Sequence, residues 1–228
     1  MERKIIVTAD GSHTVSIPEM KVCYHSVHGA IQESQHVFIN AGLMDSGIFD
    51  YAGVHQLMEV GFGTGLNALL SLVEADKHQN HIYYTAIELY PLSEAEASRL
   101  NYCEQLNLPQ YQGSFEKMHQ CNWNEMVEIT GYFRLTKLKM NVLDFFTGNQ
   151  FFLIYFDAFA PAAQPELWTK QVFDKMYSLL LPGGILATYC SKGEVRRALQ
   201  AAGFTVEKLK GPPGKREMIR ARKAVEMV

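Results

Sequence analysis

A single carboxylate, Asp157, stands directly after an apolar run in the second half of the chain. The run FFLIYF at 151–156 has the length and composition of a buried strand, and Phe159 and Pro161 follow the acid closely. Taking a lone carboxylate out of water costs several kcal/mol unless a partner compensates for the lost hydration. We therefore expect Asp157 to face a cleft and to find its partner in a bound substrate; a helix cap or a strand-end acid bonded to backbone is the alternative.

A glycine-rich turn is the second feature with chemical potential. The stretch EVGFGTGLN at 59–67 places Gly61, Gly63 and Gly65 between a short apolar strand and a helix, so that a ligand can approach the backbone and meet N–H groups at the helix start. Glu88 closes the next strand, 23 residues after Gly65, where a carboxylate accepts hydrogen bonds from both hydroxyls of a ribose. The order of strand, glycine turn, helix, strand and acid predicts a nucleoside-cofactor site, with a purely structural turn as the alternative.

The spacing of the glycines argues against two common nucleotide cofactors. Leu66 stands where the dinucleotide pattern G-x-G-x-x-G requires its third glycine, and the chain has neither the Y-x-x-x-K pair of short-chain dehydrogenases nor the G-K-[ST] of a phosphate loop. The pattern E-x-G-x-G-x-G, followed by an acid after the next strand, instead resembles the Rossmann-like S-adenosylmethionine-dependent methyltransferases. In that group the glycine turn lies against the amino-acid end of the cofactor, and the second acid holds the ribose. The resemblance implies cofactor contacts from the following residues: Glu59, Gly61, Phe62, Gly63, Thr64, Gly65, Asn67, Glu88 and Asp157.

Asp157 also begins a short motif, D-A-F-A-P, that resembles the D/N-P-P-Y motif of amino-group methyltransferases. A protonated primary amine cannot attack an electrophile, and a carboxylate within hydrogen-bonding distance can orient the amine and take up or relay its proton. Phe159 offers a ring for stacking or a cation–π contact, and Pro161 stiffens the loop. We therefore expect Asp157 to be the catalytic residue and the other two to contact the acceptor.

Five blocks in order along nearly the whole chain narrow the resemblance. They are YHSVHGAIQESQHVFINAGL, EVGFGTGLNALL, IELYPLS, YFDAFAPAAQPELWT and LLPGGILATYCSKGEVRRALQAAGFTVEKLKGPPGKREM. Together they closely resemble the methyltransferase domain of the tRNA 5-methylaminomethyl-2-thiouridine biosynthesis family. The resemblance implies methylation of the amine of a 5-aminomethyl group on the wobble uridine of tRNA, with S-adenosylmethionine as cofactor and the anticodon stem-loop as partner.

The same resemblance implies further site residues. Glu33 is expected to bind the methionine ammonium, or to be only a first-turn helical acid favoured by the helix dipole. Asn141 occupies the slot where the family usually has an Asp near the adenine, and Asp144, three positions on, is the alternative. Further substrate contacts are expected at the rim of the cleft and at anticodon-stem phosphates, from Ser191, Lys192, Lys215 and Arg216.

Bifunctional members of that family carry a second, flavin-dependent oxidoreductase domain, which exposes the aminomethyl group. Because this chain ends at Val228, we expect a stand-alone methyltransferase whose aminomethyl substrate comes from a separate upstream enzyme.

The elements that must position these residues follow a regular alternation from Leu57 onward. Strands alternate with helices, and the last two strands, FTVEKLK and EMIRAR, are joined without a helix. We predict an α/β, Rossmann-like fold with a seven-stranded, mainly parallel sheet, a terminal antiparallel strand pair and helices on both faces. One domain spans residues 1–228, with 1–50 as a lead-in over the cofactor pocket and 51–228 as the core.

Composition sets outer limits on the function. The chain has 228 residues and four scattered cysteines without metal-ligand spacing, so we expect no metal site and a reduced, cytoplasmic setting. It has no apolar stretch of the roughly 20 residues that a spanning helix needs, so we expect no membrane association.

The charge is distributed unevenly along the chain. The net charge is −3, but residues 192–223 carry ten Lys or Arg against three acids, a local +7 that leaves −10 elsewhere. Such a basic segment fits a phosphate-binding face, or a solvated helix and strand edge.

Two other functions share the main motifs. One is an N-methyltransferase for a small polyamine-like acceptor, which needs no basic segment. The other is a catalytically silent S-adenosylmethionine-binding module that docks on RNA or protein.

Overall fold

Eleven strands in two sheets make up the β-structure of residues 2–225, the part of the chain that the computed structural model describes. The small N-terminal sheet is antiparallel and contains β1 (Lys4–Val7), β2 (His13–Ile17) and β3 (Val22–Cys23). The strands of the main sheet are β4 (Val54–Val60), β5 (His81–Glu88), β6 (Met126–Thr130), β7 (Phe133–Lys139), β8 (Phe151–Phe156), β9 (Leu180–Thr188), β10 (Thr205–Lys210) and β11 (Glu217–Arg222).

Seven α-helices and several short helical turns connect the strands. The α-helices are α1 (Ala30–Ser34), α2 (Leu66–His78), α3 (Glu94–Ala97), α4 (Tyr102–Gln105), α5 (Gln112–Gln120), α6 (Lys170–Leu179) and α7 (Gly193–Ala201) within residues 2–225. A π-helical segment, Gln35–Leu43, continues α1 without a break. Turns of 3-10 helix occupy Pro18–Met20, Met44–Ser46, Ile48–Asp50, Pro109–Tyr111, Val142–Asp144 and Pro165–Leu167.

The main sheet is parallel in its centre and antiparallel at both edges. Its strand order is β10-β11-β9-β8-β4-β5-β7-β6, with β9, β8, β4, β5 and β7 parallel. The chain runs outward from β4 through β5 and then returns to its other side with β8, so the direction of winding reverses at β4. Ligands of open α/β sheets bind beyond the carboxyl ends of the strands at such a switch. The prediction of a Rossmann-like α/β fold with a terminal antiparallel pair, β10 and β11, is confirmed.

The main sheet has eight strands rather than the predicted seven. The additional edge comes from β6, which pairs antiparallel with β7 in the segment MVEITGYFRLTKLK. The alternation of apolar and polar residues that marks a strand is hard to recognise in β7. Lys137 takes an inward position on the same face as Phe133 and Leu135, and it is 1% exposed. Its Nζ donates to the carbonyl of His119 at 2.7 Å and lies 4.7 Å from the ring centroid of Trp123, so the buried cation is partnered.

Apolar residues cover both faces of the sheet. On one face, α2 and the π-helical segment bury Leu69 and Phe38 against Leu57 and Tyr155. On the other face, α6 and α7 bury Phe173 and Leu199 in a second cluster. The lead-in helix therefore packs under the sheet, while the N-terminal strands before it reach the carboxyl edge, where the predicted site lies.

The helical segments after β5 and after β8 have the following bounds. The stretch PLSEAEASRLNYCEQL forms two short helices, α3 and α4, of four residues each. Helix α6 starts at Lys170 because the side chain of Thr169 caps it by accepting from the Val172 N–H, and Trp168 lies outside it. Trp168 is nevertheless part of the core, since it is 6% exposed and donates through Nε1 to the Phe159 carbonyl at 2.8 Å.

Candidate functional site

A cleft of about 490 Å³ opens at the carboxyl ends of β4, β5 and β8. Its size lies within the range of small-molecule sites. Its walls come from the glycine turn after β4, the segment after β5, the 3-10 turn that starts at Val142, the loop after β8 and the N-terminal strands. The parallel register sets Val60 beside both Ile87 and Phe156, so the residues that follow these strands meet at one edge.

The glycine turn is held by backbone contacts that a side chain would break. Gly61 has a φ of +94°, its N–H donates to the Ile87 carbonyl at 2.9 Å, and a Cβ at this position would lie 2.6 Å from the carbonyl oxygen of Asp157. Gly65 has a φ of +74° and directly precedes α2. Close approach at Gly61 and positive φ at both positions explain why glycine is required there.

Glu88 is held in place by the turn that it faces. Its Oε2 accepts from the Gly63 N–H at 3.0 Å and its Oε1 from the Tyr90 N–H at 2.8 Å. A carboxylate has about four acceptor sites, so each oxygen keeps capacity for another donor. Glu88 lines the cleft and is partly exposed to it, which leaves its remaining acceptor capacity available to ligand hydroxyls.

Asp157 lies across the turn from Glu88, in the loop after β8. Its backbone N–H donates to the Val60 carbonyl at 2.9 Å, and its Oδ2 accepts from Asn67 Nδ2 at 2.9 Å. Burial, and then the negative charge of Glu33, raise the pKa of Asp157 to about 8, although the Asn67 hydrogen bond and the charge of Lys215 oppose that shift. An acid with this pKa accepts and releases a proton near neutral pH, as a general base must.

Most of the residues predicted as cofactor contacts line the cleft, and three do not. Those in its wall are Gly61, Phe62, Gly63, Thr64, Asn67, Glu88, Asn141 and Asp157. The three outside the wall are Glu33, Glu59 and Gly65. Glu59 is 1% exposed and lies behind the turn, where it accepts from Asn67.

The two polar residues predicted near the adenine differ in position. Asn141 lines the cleft, and its Oδ1 accepts from the Leu143 N–H at 2.9 Å, which caps the short 3-10 turn. Asp144 is solvent-exposed and lies outside the cleft wall. Of these two residues, Asn141 is the one that can reach a ligand in the cleft.

Glu33 and Lys215, predicted to bind a methionine ammonium and an RNA phosphate, instead pair with each other. Lys215, in the loop between β10 and β11, donates through Nζ to Oε1 of the buried Glu33 at 2.5 Å. The other oxygen of Glu33 accepts from the Ser26 N–H, and the ammonium of Lys215 lies 3.9 Å from the Tyr189 ring centroid. Each of the two charges is thereby compensated by the other, and the ion pair connects the loop between β10 and β11 to the N-terminal lead-in.

We expect Lys215→Met to lower the free energy of unfolding by about 1–3 kcal/mol, because Glu33 would keep its buried charge and lose its cation. Lys170→Met is the matched control, since Lys170 pairs with Asp174 at 2.7 Å on the exposed face of α6 and such pairs contribute less than about 1 kcal/mol. Urea denaturation at pH 7 measures both variants. Equal effects of the two substitutions would show that burial of the Glu33 pair adds nothing.

Of the other residues predicted to contact the acceptor, one lines the cleft and the rest lie outside its wall. Phe159 lines the cleft, and the ring of Tyr24 meets it edge-on with the centroids 5.0 Å apart. Pro161 is buried behind this loop. Ser191, Lys192 and Arg216 lie outside the cleft wall, and Lys192 is exposed with Glu194 at 3.9 Å.

The N-terminal strands contribute a wall residue that sequence reasoning missed. Arg3 lines the cleft and donates to the carbonyls of Tyr90 and Pro91, at 2.6 and 3.0 Å, directly after Glu88. The only signal in the sequence was a basic residue next to a short apolar run, and such residues are common on surfaces.

Two features are absent from the part of the chain that the structure describes. Within residues 2–225, no group of three or more His, Cys, Asp or Glu side chains is arranged to hold a metal ion. Over the same residues, no helix combines the length and the apolar character that crossing a membrane requires.

Comparison with known proteins gives relatives by sequence and by fold. The protein MnmC of Ectopseudomonas mendocina, a tRNA 5-methylaminomethyl-2-thiouridine biosynthesis bifunctional protein, is 32% identical in an alignment 211 residues long that covers 86% of this chain and 31% of that protein. The protein of the same name from Pseudoalteromonas translucida is 28% identical in an alignment 218 residues long that covers 86% of this chain and 33% of that protein. The chain thus spans about a third of the length of these curated relatives.

Solved structures share the fold. The crystal structure of MnmC2 from Aquifex aeolicus superposes with a TM-score of 0.76 at 22% identity and covers 100% of this chain and 73% of that one. Spermidine synthase from Thermotoga maritima superposes with a TM-score of 0.54 at 13% identity, over 98% of this chain and 70% of that one.

A protein-family model matches residues 98–224, more than half of the chain, and its description is S-adenosyl-L-methionine-dependent methyltransferase. The matched range begins after the glycine turn and Glu88 and includes Asp157 and the C-terminal hairpin. The N-terminal half of the cleft and the matched half form one site at the edge of one sheet. The chain belongs to this family of S-adenosylmethionine-dependent methyltransferases.

Proposed function

We propose that this methyltransferase acts on the wobble uridine of tRNA and methylates the amine of a 5-aminomethyl group, giving 5-methylaminomethyl-2-thiouridine from the 2-thiolated nucleoside. The two relatives whose alignments cover 86% of the chain are named for the biosynthesis of this nucleoside. The observation that carries the proposal is the position of Asp157. It is a partly exposed carboxylate in the loop after β8, beside the glycine turn, and its pKa is raised into the range of a general base.

The residues of the cleft suit S-adenosylmethionine. The backbone of Gly61 and Gly63 can take the amino-acid end, Glu88 the ribose hydroxyls, and Asn141 with its neighbours the adenine. The fit depends on the missing side chain at Gly63, because a Cβ there would lie 3.0 Å from the ring of Tyr24 across the cleft. When bound, S-adenosylmethionine supplies a methyl group on a positively charged sulfur, which makes that carbon an electrophile.

Asp157 performs the acid–base part of the reaction. At neutral pH the acceptor amine is a cation without a free lone pair, and the ionised Asp157 attracts it and aligns it. The amine passes one proton to the carboxylate and thereby frees the electron pair that forms the new N–C bond as the C–S bond breaks. The proton then leaves Asp157 for solvent, which restores the carboxylate.

Aromatic residues of the cleft and exposed basic residues outside its wall suit an RNA acceptor. Phe159 and Tyr24 offer the faces and edges on which a splayed-out base stacks, as in other recognition of single-stranded loops. Three exposed basic residues, Arg197, Lys210 and Arg216, form no ion pair within residues 2–225. We assign them to anticodon-stem phosphates, with Ser191 and Lys192 at the rim. Such contacts make affinity fall steeply with salt.

The setting belongs to the same proposal. One domain carries out the reaction in the cytoplasm, on tRNA whose aminomethyl group an earlier reaction has exposed.

Incubation with labelled S-adenosylmethionine and tRNA from a strain that lacks this methylation tests the proposal. Nucleoside mass spectrometry should find the label in 5-methylaminomethyl-2-thiouridine alone, and Asp157→Asn should nearly abolish it. Binding of the same tRNA should weaken sharply between low and high salt. Label in a polyamine rather than in tRNA, or binding of S-adenosylmethionine without any transfer, would contradict the proposal.

We expect kcat/KM to rise with pH up to about 8 and then to level off, because the pKa of Asp157 is raised to about 8 and only its ionised form accepts the proton. The ionised fraction falls roughly tenfold for each pH unit below that pKa. Initial rates with tRNA at several pH values, at constant ionic strength, measure the profile. A profile without this acidic limb would assign the proton to another acceptor.

A further inference from the structure

One side-chain amide in the wall of the cleft joins two carboxyl groups. Asn67, in the first turn of α2, donates through Nδ2 to Oε1 of Glu59 and to Oδ2 of Asp157, both at 2.9 Å. An amide NH2 carries two hydrogens, so these contacts use both of them. Asn67 is 3% exposed and Glu59 is 1% exposed, which keeps water from screening the two acids from each other.

Glu59 has no cation to offset a negative charge. In the part of the chain that the structure describes, it forms no ion pair, and its Oε2 is buried without a hydrogen-bond partner. The hydroxyl of Tyr84 on β5 is likewise buried, and it lies near enough to Glu59 to oppose the rise of that carboxyl's pKa. Burial, and then the charge of Asp157, raise the pKa of Glu59 well above its ordinary range. When two neighbouring carboxyls share one donor in a buried place, only one ionises readily.

Asp157 is the acid of the pair that can ionise, because it reaches the cleft and Glu59 does not. The charged and titratable groups around Asp157 come from every element packed against it. They are Glu59 on β4, Tyr84 on β5, Glu33 on α1, Tyr189 after β9 and Lys215 in the C-terminal hairpin. Lys215 is the cation of this group, and it pairs with Glu33.

We propose that Asn67 is a positioning residue for methyl transfer: its amide holds Asp157 and a protonated Glu59 together, so that Asp157 alone carries the negative charge that faces the acceptor amine. Oδ2 of Asp157 is fixed toward the amide, and Oδ1 is left for the amine. Glu59 and Asn67 then serve the acid–base residue, whereas the sequence motif alone predicted cofactor contacts for both. The inference rests on the proposed function for the identity of the acceptor.

The titration of Asp157 in the cofactor-free protein tests the network without any methyl transfer. Carboxyl ¹³C NMR follows it, and Asp157→Asn identifies the signal. In Asn67→Leu, which has a similar size and no N–H group, the inflection should move up by about one to two pH units, because a charge-assisted hydrogen bond to the carboxylate is lost. The acidic limb of the kcat/KM profile should move in the same direction, whereas a purely structural role would lower kcat/KM at every pH without moving the limb.

Glu59→Gln is a second variant for the same titration, and it tests the inference even if Asn67→Leu does not fold. Gln has the shape of a protonated Glu, so the Asp157 inflection should stay within about half a pH unit of that in the unchanged protein. A downward shift of about one unit or more would show that Glu59 was ionised and would overturn the inference, as would an unchanged inflection in a folded Asn67→Leu. Because these titrations need neither tRNA nor S-adenosylmethionine, their failure is distinct from a failure of the proposed function.

Discussion

Asp157→Asn should lower kcat by about 10²–10⁴-fold, the usual contribution of a positioned acid–base group, and leave the Kd for S-adenosylmethionine within about threefold. The amide has the shape of the carboxylate and can still accept from Asn67 Nδ2, so the loop after β8 should keep its place. In the proposed mechanism, the variant loses both the negative charge that aligns the amine and the atom that takes its proton. Transfer to tRNA under single-turnover conditions measures the effect, and calorimetry measures cofactor binding.

Asp174→Asn is the matched control for that experiment. Asp174 is an exposed acid on α6 that pairs with Lys170, far along the chain from the glycine turn, and its loss should leave kcat unchanged. If Asp157→Asn keeps full turnover, the acid–base role belongs to another group. If it loses cofactor binding in proportion to turnover, Asp157 holds the cofactor instead.

Gly61→Ala should raise the Kd for S-adenosylmethionine by about 10–100-fold and lower stability by about 1–3 kcal/mol, the range of local backbone strain. The new Cβ would lie 2.6 Å from the carbonyl oxygen of Asp157, which is backbone and cannot rotate away as a flexible side chain does. The φ of +94° at this position adds strain for any residue other than glycine. The substitution therefore displaces the glycine turn and the loop after β8 together.

Gly131→Ala is the control for the loss of a glycine as such. Gly131 lies in the turn between β6 and β7, where an added Cβ meets no atom within 4 Å. Its effect on both cofactor binding and stability should be within about 0.5 kcal/mol. Calorimetric titration and urea denaturation on the two variants provide the measurement. Equal cofactor affinity in both would show that the turn adapts to a side chain, contrary to the geometry.

The parts of the site that the sequence predicts well are those that depend on local chemistry. Glycines after an apolar strand specify a turn that other residues fit poorly, and acids directly after strands lie at the carboxyl edge in any parallel sheet. Glu88 and Asp157 were expected at that edge for this reason, and both line the cleft there. Phe159 and Asn141 line it as well, because each follows closely on one of the parallel strands.

The parts that sequence reasoning placed differently depend on partners far away along the chain. Glu33 and Lys215 are 182 residues apart, and nothing near either residue indicates that the two charges pair. Strand β7 is hard to recognise from the sequence because the charged residue Lys137 occupies an inward position. Its cation is buried against a ring and a carbonyl that other parts of the chain supply. A residue's role in such cases is set by which groups surround it after folding.

The sequence by itself therefore determined the α/β class, the glycine turn and the acids at the ends of β5 and β8, since backbone conformation and strand ends are encoded within a few residues. Only the tertiary structure decided that β6 adds an eighth strand, that Arg3 walls the cleft, and that Asn67 lies between two carboxyls. These arrangements arise because segments distant in the sequence pack together. The burial of each side chain and the charges near it therefore depend on the whole fold.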